Sequence, residues 1–289
     1  MPEIKLSQGT IQYRDEGAGS PIVLIHGLMV NGQVWDGVVS GLRGRARCIV
    51  PDLPLGSHTL PMNADADLAP PALADLIAEL IERLELGKVT LVGSDTGGAL
   101  CQIAVARHPE LIDKLVLTNC DAFENFPPDS FAFALNAMKR VPGMLNALAA
   151  FGRFRFGRAG AMKAMPLTLT PIPDELVKSW VEPLRRSEIR RDVMKVVRGI
   201  SPEQTLAAAE QLRSFPGQAL IIWGERDKFF PFSDAERLAV TLPHARLERI
   251  KDARAFVQLD APEAVADLVA SMAGGTPAPG ASAVASEAR

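Results

Sequence analysis

The residue with the clearest chemical potential is Asp95, within residues 92–98 (VGSDTGG). A reactive side chain on a sharp turn between a strand and a helix needs small neighbours, because the turn is crowded. Gly93 and Gly97 meet that requirement around Asp95. Centring the turn on Ser94 would instead put two β-branched residues at the crowded positions. The spacing therefore favours Asp95 over Ser94 as the nucleophile.

The elements that must hold this turn are visible as hydrophobic patterns. An apolar, β-branched run at 88–92 predicts the strand before Asp95, and residues 99–106 predict a buried helix after it. Further strands are predicted at 4–6, 11–13, 22–25, 48–50, 115–117, 219–224 and 247–250, with a helix between Leu68 and Leu86. Strands that alternate with helices predict an α/β protein with a mostly parallel sheet covered on both faces.

One long segment breaks this alternation. Residues 122–215 contain helical patterns at 131–140, 174–180 and 183–198, separated by prolines and glycines. We expect an inserted helical cap over the carboxyl end of the sheet, where open α/β folds bind ligands. The core would comprise residues 1–121 and 216–273. Residues 274–289 are small and polar, and are expected to be disordered.

Composition limits the possible partners and compartments. The chain of 289 residues has a net charge of −3, which gives no electrostatic reason to expect nucleic acid or an anionic membrane as a partner. Its three cysteines lack metal-ligand spacing and fit a reducing compartment. No apolar run approaches the length of a membrane span. We expect a cytoplasmic protein that acts on a small molecule without metal or cofactor; its oligomeric state stays open.

Three motifs together resemble the α/β-hydrolase superfamily, in the capped branch with an aspartate nucleophile that includes haloalkane dehalogenases and soluble epoxide hydrolases. They are His26-Gly27-Leu28, the turn at Asp95, and Gly224-Glu225-Arg226-Asp227. The likeness extends from Ile4 to about Met272. It implies an α/β-hydrolase fold, an oxyanion hole made by the backbone N–H groups of Leu28 and Thr96, and Asp227 as the acid of a catalytic triad.

The resemblance fails at the base of that triad. In this branch the aspartate attacks an sp³ carbon to form an ester, and a histidine then activates the water that hydrolyses it. The histidine normally lies in a Gly-His-Phe sequence after the last strand, but here those positions read Arg254-Ala255-Phe256. The triad is therefore incomplete, and the sequence does not say whether Ala255 is natural or engineered.

Only four histidines are available as substitutes. His26 belongs to the His-Gly turn and is expected to be structural, while His108 and His244 are expected on the surface. His58 follows a strand on the catalytic rim and is the candidate to reach Asp95, although a solvated loop position is the simpler interpretation.

Auxiliary residues weigh against the two best-known activities of this branch. The resemblance implies cap tyrosines for epoxide opening, but the one tyrosine is Tyr13 in the first hairpin. It also implies a halide-binding tryptophan directly after the nucleophile, where Thr96 stands. Trp180 in the cap is a candidate for binding substrate, with ordinary packing as the alternative.

Two functions remain open at this stage. The first is an enzyme with Asp95 as nucleophile or general base, acting on a small or medium apolar substrate through an altered triad. The second is a non-hydrolytic or inactive descendant that binds or isomerises a small molecule.

Overall fold

A computed structural model describes residues 1–141 and 143–274. Its strands are β1 (Glu3–Leu6), β2 (Gly9–Gly17), β3 (Pro21–Ile25), β4 (Arg47–Pro51), β5 (Val89–Asp95), β6 (Ile112–Cys120), β7 (Gln218–Gly224) and β8 (Ala245–Ile250). Its helices are α1 (Asp36–Leu42), α2 (Pro70–Arg83), α3 (Thr96–Arg107), α4 (Asp129–Arg140), α5 (Met144–Phe151), α6 (Arg155–Ala164), α7 (Asp174–Val181), α8 (Ser187–Gly199), α9 (Pro202–Leu212), α10 (Phe232–Thr241), α11 (Val257–Asp260) and α12 (Pro262–Ala273).

The strands form one eight-stranded sheet in the order β1-β2-β4-β3-β5-β6-β7-β8. β2 pairs antiparallel with β1 and β4, and all other neighbours are parallel. Residues 22–25 of β3 are completely buried, as expected of a parallel strand covered on both faces. The predicted mostly parallel, doubly covered sheet is confirmed.

Helices flank the sheet in two groups. α1 packs against α12, while α2, α3, α9 and α10 pack in series. None of the helices within 1–141 and 143–274 is long and apolar enough to cross a membrane.

The insertion predicted at 122–215 contains α4 to α9. Its last helix, α9, packs against α3 of the core, and Thr205 Oγ1 donates a 2.5 Å hydrogen bond to the Phe123 carbonyl. The helix predicted at 183–198 is divided into a 3₁₀ turn at Glu182–Arg185 and α8, because Arg186 between them has extended backbone angles. Of the predicted tail, residues 275–289 lie outside the described residues.

Candidate active site

Asp95 occupies a strained turn between β5 and α3. Its backbone angles, φ 56° and ψ −136°, lie in a region that side chains rarely adopt. A Cβ added at Gly93 would lie 2.6 Å from Cys101 Sγ, and one at Gly97 would lie 2.6 Å from the Ile25 carbonyl oxygen. The two glycines identified from the sequence are therefore the ones that this turn requires.

The turn presents Asp95 and hides its neighbour Ser94. Ser94 is buried, and its Oγ lies 3.1 Å from the Gln258 side-chain nitrogen. Asp95 keeps part of its surface accessible and faces Gly27, where an added Cβ would lie 2.5 Å from Asp95 Cγ. Only glycine at this position allows the backbone to approach the carboxylate so closely.

Two backbone N–H groups face the Asp95 carboxylate. The Thr96 N–H donates to Asp95 Oδ1, and the Leu28 N–H is also a hydrogen-bond donor to this carboxylate. Burial raises the pKa of Asp95 to about 6, against the opposing effect of these donors, and the nearby Asp227 raises it further. The pKa is thus set by opposing effects, and the acid is still mostly ionised at neutral pH.

Asp227 lies in the loop after β7, within electrostatic reach of Asp95. The buried side chain of Asn119 donates to Asp227 Oδ2 at 2.7 Å, and the Phe229 N–H donates to Oδ1 at 2.8 Å. Burial raises the pKa of Asp227 to about 6 in spite of these donors. Asn119 also exchanges hydrogen bonds with Gly224, so it fixes the loop that carries Asp227.

Asp121 is a third carboxyl group at this edge, and it was not predicted from the sequence. It is buried directly beyond β6, and its Oδ2 accepts a 3.1 Å hydrogen bond from Thr96 Oγ1. Burial and the nearby Asp95 raise the pKa of Asp121 well above its usual range, which favours the neutral acid. The signal available in the sequence was a carboxylate at the end of a parallel strand.

Among the described residues, no group of three or more His, Cys, Asp or Glu side chains is placed to hold a metal ion.

The structure does not bring His58 to Asp95. His58 is buried, with Nε2 3.4 Å from Asp192 Oδ2 of α8 and Nδ1 accepting from the Gly56 N–H at 3.3 Å. Both ring nitrogens are therefore engaged between the core and the cap. The predicted catalytic role of His58 finds no support in these contacts, because the Gly56 N–H occupies Nδ1, the nitrogen that could accept a proton, and Nε2 faces Asp192, 134 positions along the chain.

The other histidines lie where the sequence predicts. Both ring nitrogens of His26 are occupied by backbone groups: Nε2 accepts from the Leu53 N–H at 3.0 Å, and Nδ1 lies 2.9 Å from the Gly27 carbonyl. His108 lies 2.7 Å from Asp75 on a partly exposed helix end, and His244 is exposed. Among the described residues, none of these three histidines forms a hydrogen bond with Asp95.

Ala255 is completely buried in the loop between β8 and α11. The loop is attached to the cap, since the Phe256 N–H donates to the Leu167 carbonyl at 3.0 Å and Arg254 Nη1 donates to the Thr168 carbonyl at 3.1 Å. Asp260 accepts from the Arg254 N–H at 2.9 Å. The loop is rigidly held, but its central side chain cannot transfer a proton.

Trp180 lies in α7 of the cap, packed edge-on against Phe256 with 6.1 Å between ring centroids. Its ring is buried, and its backbone carbonyl accepts from Ser57 Oγ at 2.8 Å. The indole Nε1 is buried without a hydrogen-bond partner among the described residues. The ring of Trp180 therefore has packing partners, whereas its indole N–H has no acceptor among the described residues.

Comparison with known proteins places the chain in a family. Residues 20–262 match the α/β hydrolase fold family, and the chain belongs to it. It is 28% identical to haloalkane dehalogenase 2 of Mycobacterium tuberculosis over 272 residues, covering 90% of both proteins. It is also 28% identical to a cis-3-alkyl-4-alkyloxetan-2-one decarboxylase of Xanthomonas campestris over 265 residues, covering 86% of this chain and 87% of that protein.

Solved structures support the same fold. The haloalkane dehalogenase DbeA from Bradyrhizobium elkani superposes with a TM-score of 0.75 at 21% identity, over 94% of this chain and 96% of that one. The class of protein is therefore an α/β hydrolase with haloalkane dehalogenase-like relatives.

Proposed function

We propose that this α/β hydrolase forms a covalent ester between Asp95 and a small or medium apolar substrate that carries a leaving group on an sp³ carbon. The observation that carries the proposal is the strained presentation of Asp95 with two N–H donors at its carboxylate. A turn of this kind stores strain to expose one side chain, and here that side chain is a carboxylate.

In the first step an Asp95 oxygen forms a bond to carbon, and the leaving group departs with the electron pair of the broken bond. The N–H groups of Leu28 and Thr96 lower the pKa of Asp95 and so favour the ionised form that attacks. Burial and the nearby Asp95 raise the pKa of Asp121, which favours its neutral form and limits the negative charge beside the nucleophile. The unpartnered Nε1 of Trp180 supplies a donor in the cap for the substrate or the departing anion.

The second step, attack of water on the ester, lacks a base. Ala255 carries no titratable group, and both nitrogens of His58 are engaged elsewhere. Each oxygen of Asp227 accepts one hydrogen bond and keeps a further lone pair, so we assign Asp227 to orienting water. The ester at Asp95 is therefore expected to persist.

A non-hydrolytic reaction is the second candidate, and the decarboxylase relative favours it. Loss of CO₂ from an oxetanone leaves an alkene and balances without water, so it does not need the missing base. An alkylated oxetan-2-one is therefore the substrate to test beside a bromoalkane.

Intact-mass spectrometry after incubation with a primary bromoalkane tests the proposal. We expect one alkyl group to be added to the wild-type protein and none to Asp95→Asn, which has nearly the same size but is a far weaker nucleophile. Hydroxylamine should remove the group, because it cleaves esters and leaves thioethers on Cys48, Cys101 or Cys120 intact.

Catalytic release of bromide without an adduct would contradict the persistent ester. Release of CO₂ from the oxetanone, abolished in Asp95→Asn, would favour the second candidate.

A further inference from the structure

The cap carries an exposed surface that alternates aromatic and basic side chains. Residues 151–158 read FGRFRFGR. Phe151, Phe154 and Phe156 are 51%, 54% and 66% exposed, and Arg153 and Arg155 between them are also exposed. We call these five residues the aromatic-basic patch.

The three rings form a cluster instead of projecting singly. The centroids of Phe151 and Phe156 lie 5.5 Å apart, and those of Phe154 and Phe156 lie 5.3 Å apart. Leu148, which precedes Phe151 by three residues on α5, is 49% exposed. A contiguous apolar surface of this kind marks an interaction site, since single exposed apolar residues need no explanation but clusters do.

The segment that carries the patch has a charge opposite in sign to that of the whole chain. Residues 139–163 contain six basic residues and no acidic one, although acidic residues outnumber basic ones over the whole chain by 34 to 31. Arg158 is committed to Asp174, with 2.6 Å between Nη2 and Oδ2. The segment that carries the patch is therefore basic, which the net charge of the whole chain conceals.

A cavity of about 460 Å³ beside the patch adds a place for an anion. Arg155 of the patch lines it, Lys163 and Arg254 add positive charge, and Met162 and Met165 contribute apolar surface. The one carboxylate in the lining, Asp174, is paired with Arg158. The Nε of Arg254 is buried without a hydrogen-bond partner among the described residues. Guanidinium and ammonium donors over an apolar floor suit a phosphate headgroup that is attached to hydrocarbon.

We propose that the aromatic-basic patch docks the cap onto an anionic lipid surface. Phenylalanine rings enter the boundary between headgroups and acyl chains, and basic side chains are attracted to anionic lipids. A second copy of this chain fits less well, because a symmetric contact would place the same basic residues against each other. Single-stranded nucleic acid also fits less well, because Phe154 and Phe156 cover each other's ring faces.

Co-sedimentation with vesicles tests this proposal independently of the chemistry at Asp95. The full chain is mixed with vesicles of phosphatidylcholine alone, or of equal parts phosphatidylcholine and phosphatidylglycerol. We expect binding only to the second, released by high salt. Each arginine removed in Arg153→Gln and Arg155→Gln should weaken binding about fivefold. The triple variant Phe151→Ser, Phe154→Ser, Phe156→Ser should lose binding by more than about tenfold.

Two surface variants serve as matched controls. Val240→Ser removes a side chain that is 85% exposed on α10, and Arg213→Gln removes an exposed charge outside the patch. Both should bind like the wild type.

Equal binding to the two vesicles, or no loss in the triple variant, would overturn the proposal. So would patch-dependent dimerisation or oligonucleotide binding without vesicle binding, measured by size-exclusion chromatography and fluorescence anisotropy.

Discussion

Two segments at the carboxyl ends of strands differ in the side chains they carry: the turn at Asp95 after β5 and the loop with Ala255 after β8. Both are tightly held, the turn by glycines that leave no room for a Cβ and the loop by hydrogen bonds to the cap. The turn carries an ionisable residue that is not fully buried, whereas the loop buries a methyl group. The comparison teaches that two neighbouring segments can be held equally tightly while only one of them carries a group that could react.

We expect the largest effect from placing a base in the loop by substituting Ala255 with histidine. In Ala255→His an imidazole would be available to activate water, so we expect release of the Asp95 ester to accelerate by about 10²–10⁴-fold. Single-turnover kinetics with the alkylated protein measure this rate.

Ala255→Gln is the matched control, because it adds a polar side chain of similar size without a base. Ala255 is completely buried, so either substitution is expected to cost about 1–3 kcal/mol of stability. Thermal melts identify variants that remain folded. A folded, alkylated Ala255→His protein whose ester persists would show that the loop does not direct its central side chain toward Asp95.

Substituting a glycine of the Asp95 turn should destabilise the protein, because the turn has no room for a Cβ. In Gly97→Ala the new methyl group would lie 2.6 Å from the Ile25 carbonyl, and backbone atoms in β3 cannot easily move away. We expect a loss of about 1–3 kcal/mol in the free energy of unfolding, measured with urea.

Gly160→Ala in α6 is the matched control for that substitution. No atom lies within 4 Å of the added Cβ, so this variant should be stabilised by about 0.5–1 kcal/mol. Equal effects of the two substitutions would show that the turn is not crowded.

Acidic pH should have a smaller and gradual effect on the rate of alkylation at Asp95. Because the pKa of Asp95 is raised to about 6, its carboxylate is protonated as the pH falls below that value. The rate of alkylation should therefore be about tenfold lower at about pH 5 than near neutral pH. Cysteine alkylation behaves oppositely, since burial raises the pKa of Cys48 to about 12 and thiolate forms only in base. A rate that is flat below neutral and rises in base would point to thiols.

The parts of the site that depend on local sequence were predictable. The strand, the small flanking residues and the helix around Asp95 lie within about twenty residues, and each has a direct steric reason. The same holds for the surface position of His244 and the structural contacts of His26.

The parts that depend on distant contacts were not. Asn119 holds a loop 108 residues away, and His58 is engaged by a cap helix 134 residues away. Nothing in the local sequence identifies either partner. Asp121 was overlooked because a single aspartate beyond a strand is common, and its meaning depends on the Thr96 hydroxyl that contacts it.

Net charge does not describe the surface segment by segment. A value of −3 gives no reason to expect an anionic membrane, yet it averages over a cap segment with six basic residues and no acidic one. The position of charge in the fold, rather than its sum, determines which partner the surface suits.

Peptide mapping of the alkylated protein tests the central claim most directly. Protease digestion after reaction with the bromoalkane should place the added alkyl group on Asp95 alone, as an ester that hydroxylamine removes. An alkyl group on a cysteine, or an unmodified Asp95 in a protein that turns over substrate, would contradict the assignment of Asp95 as the nucleophile.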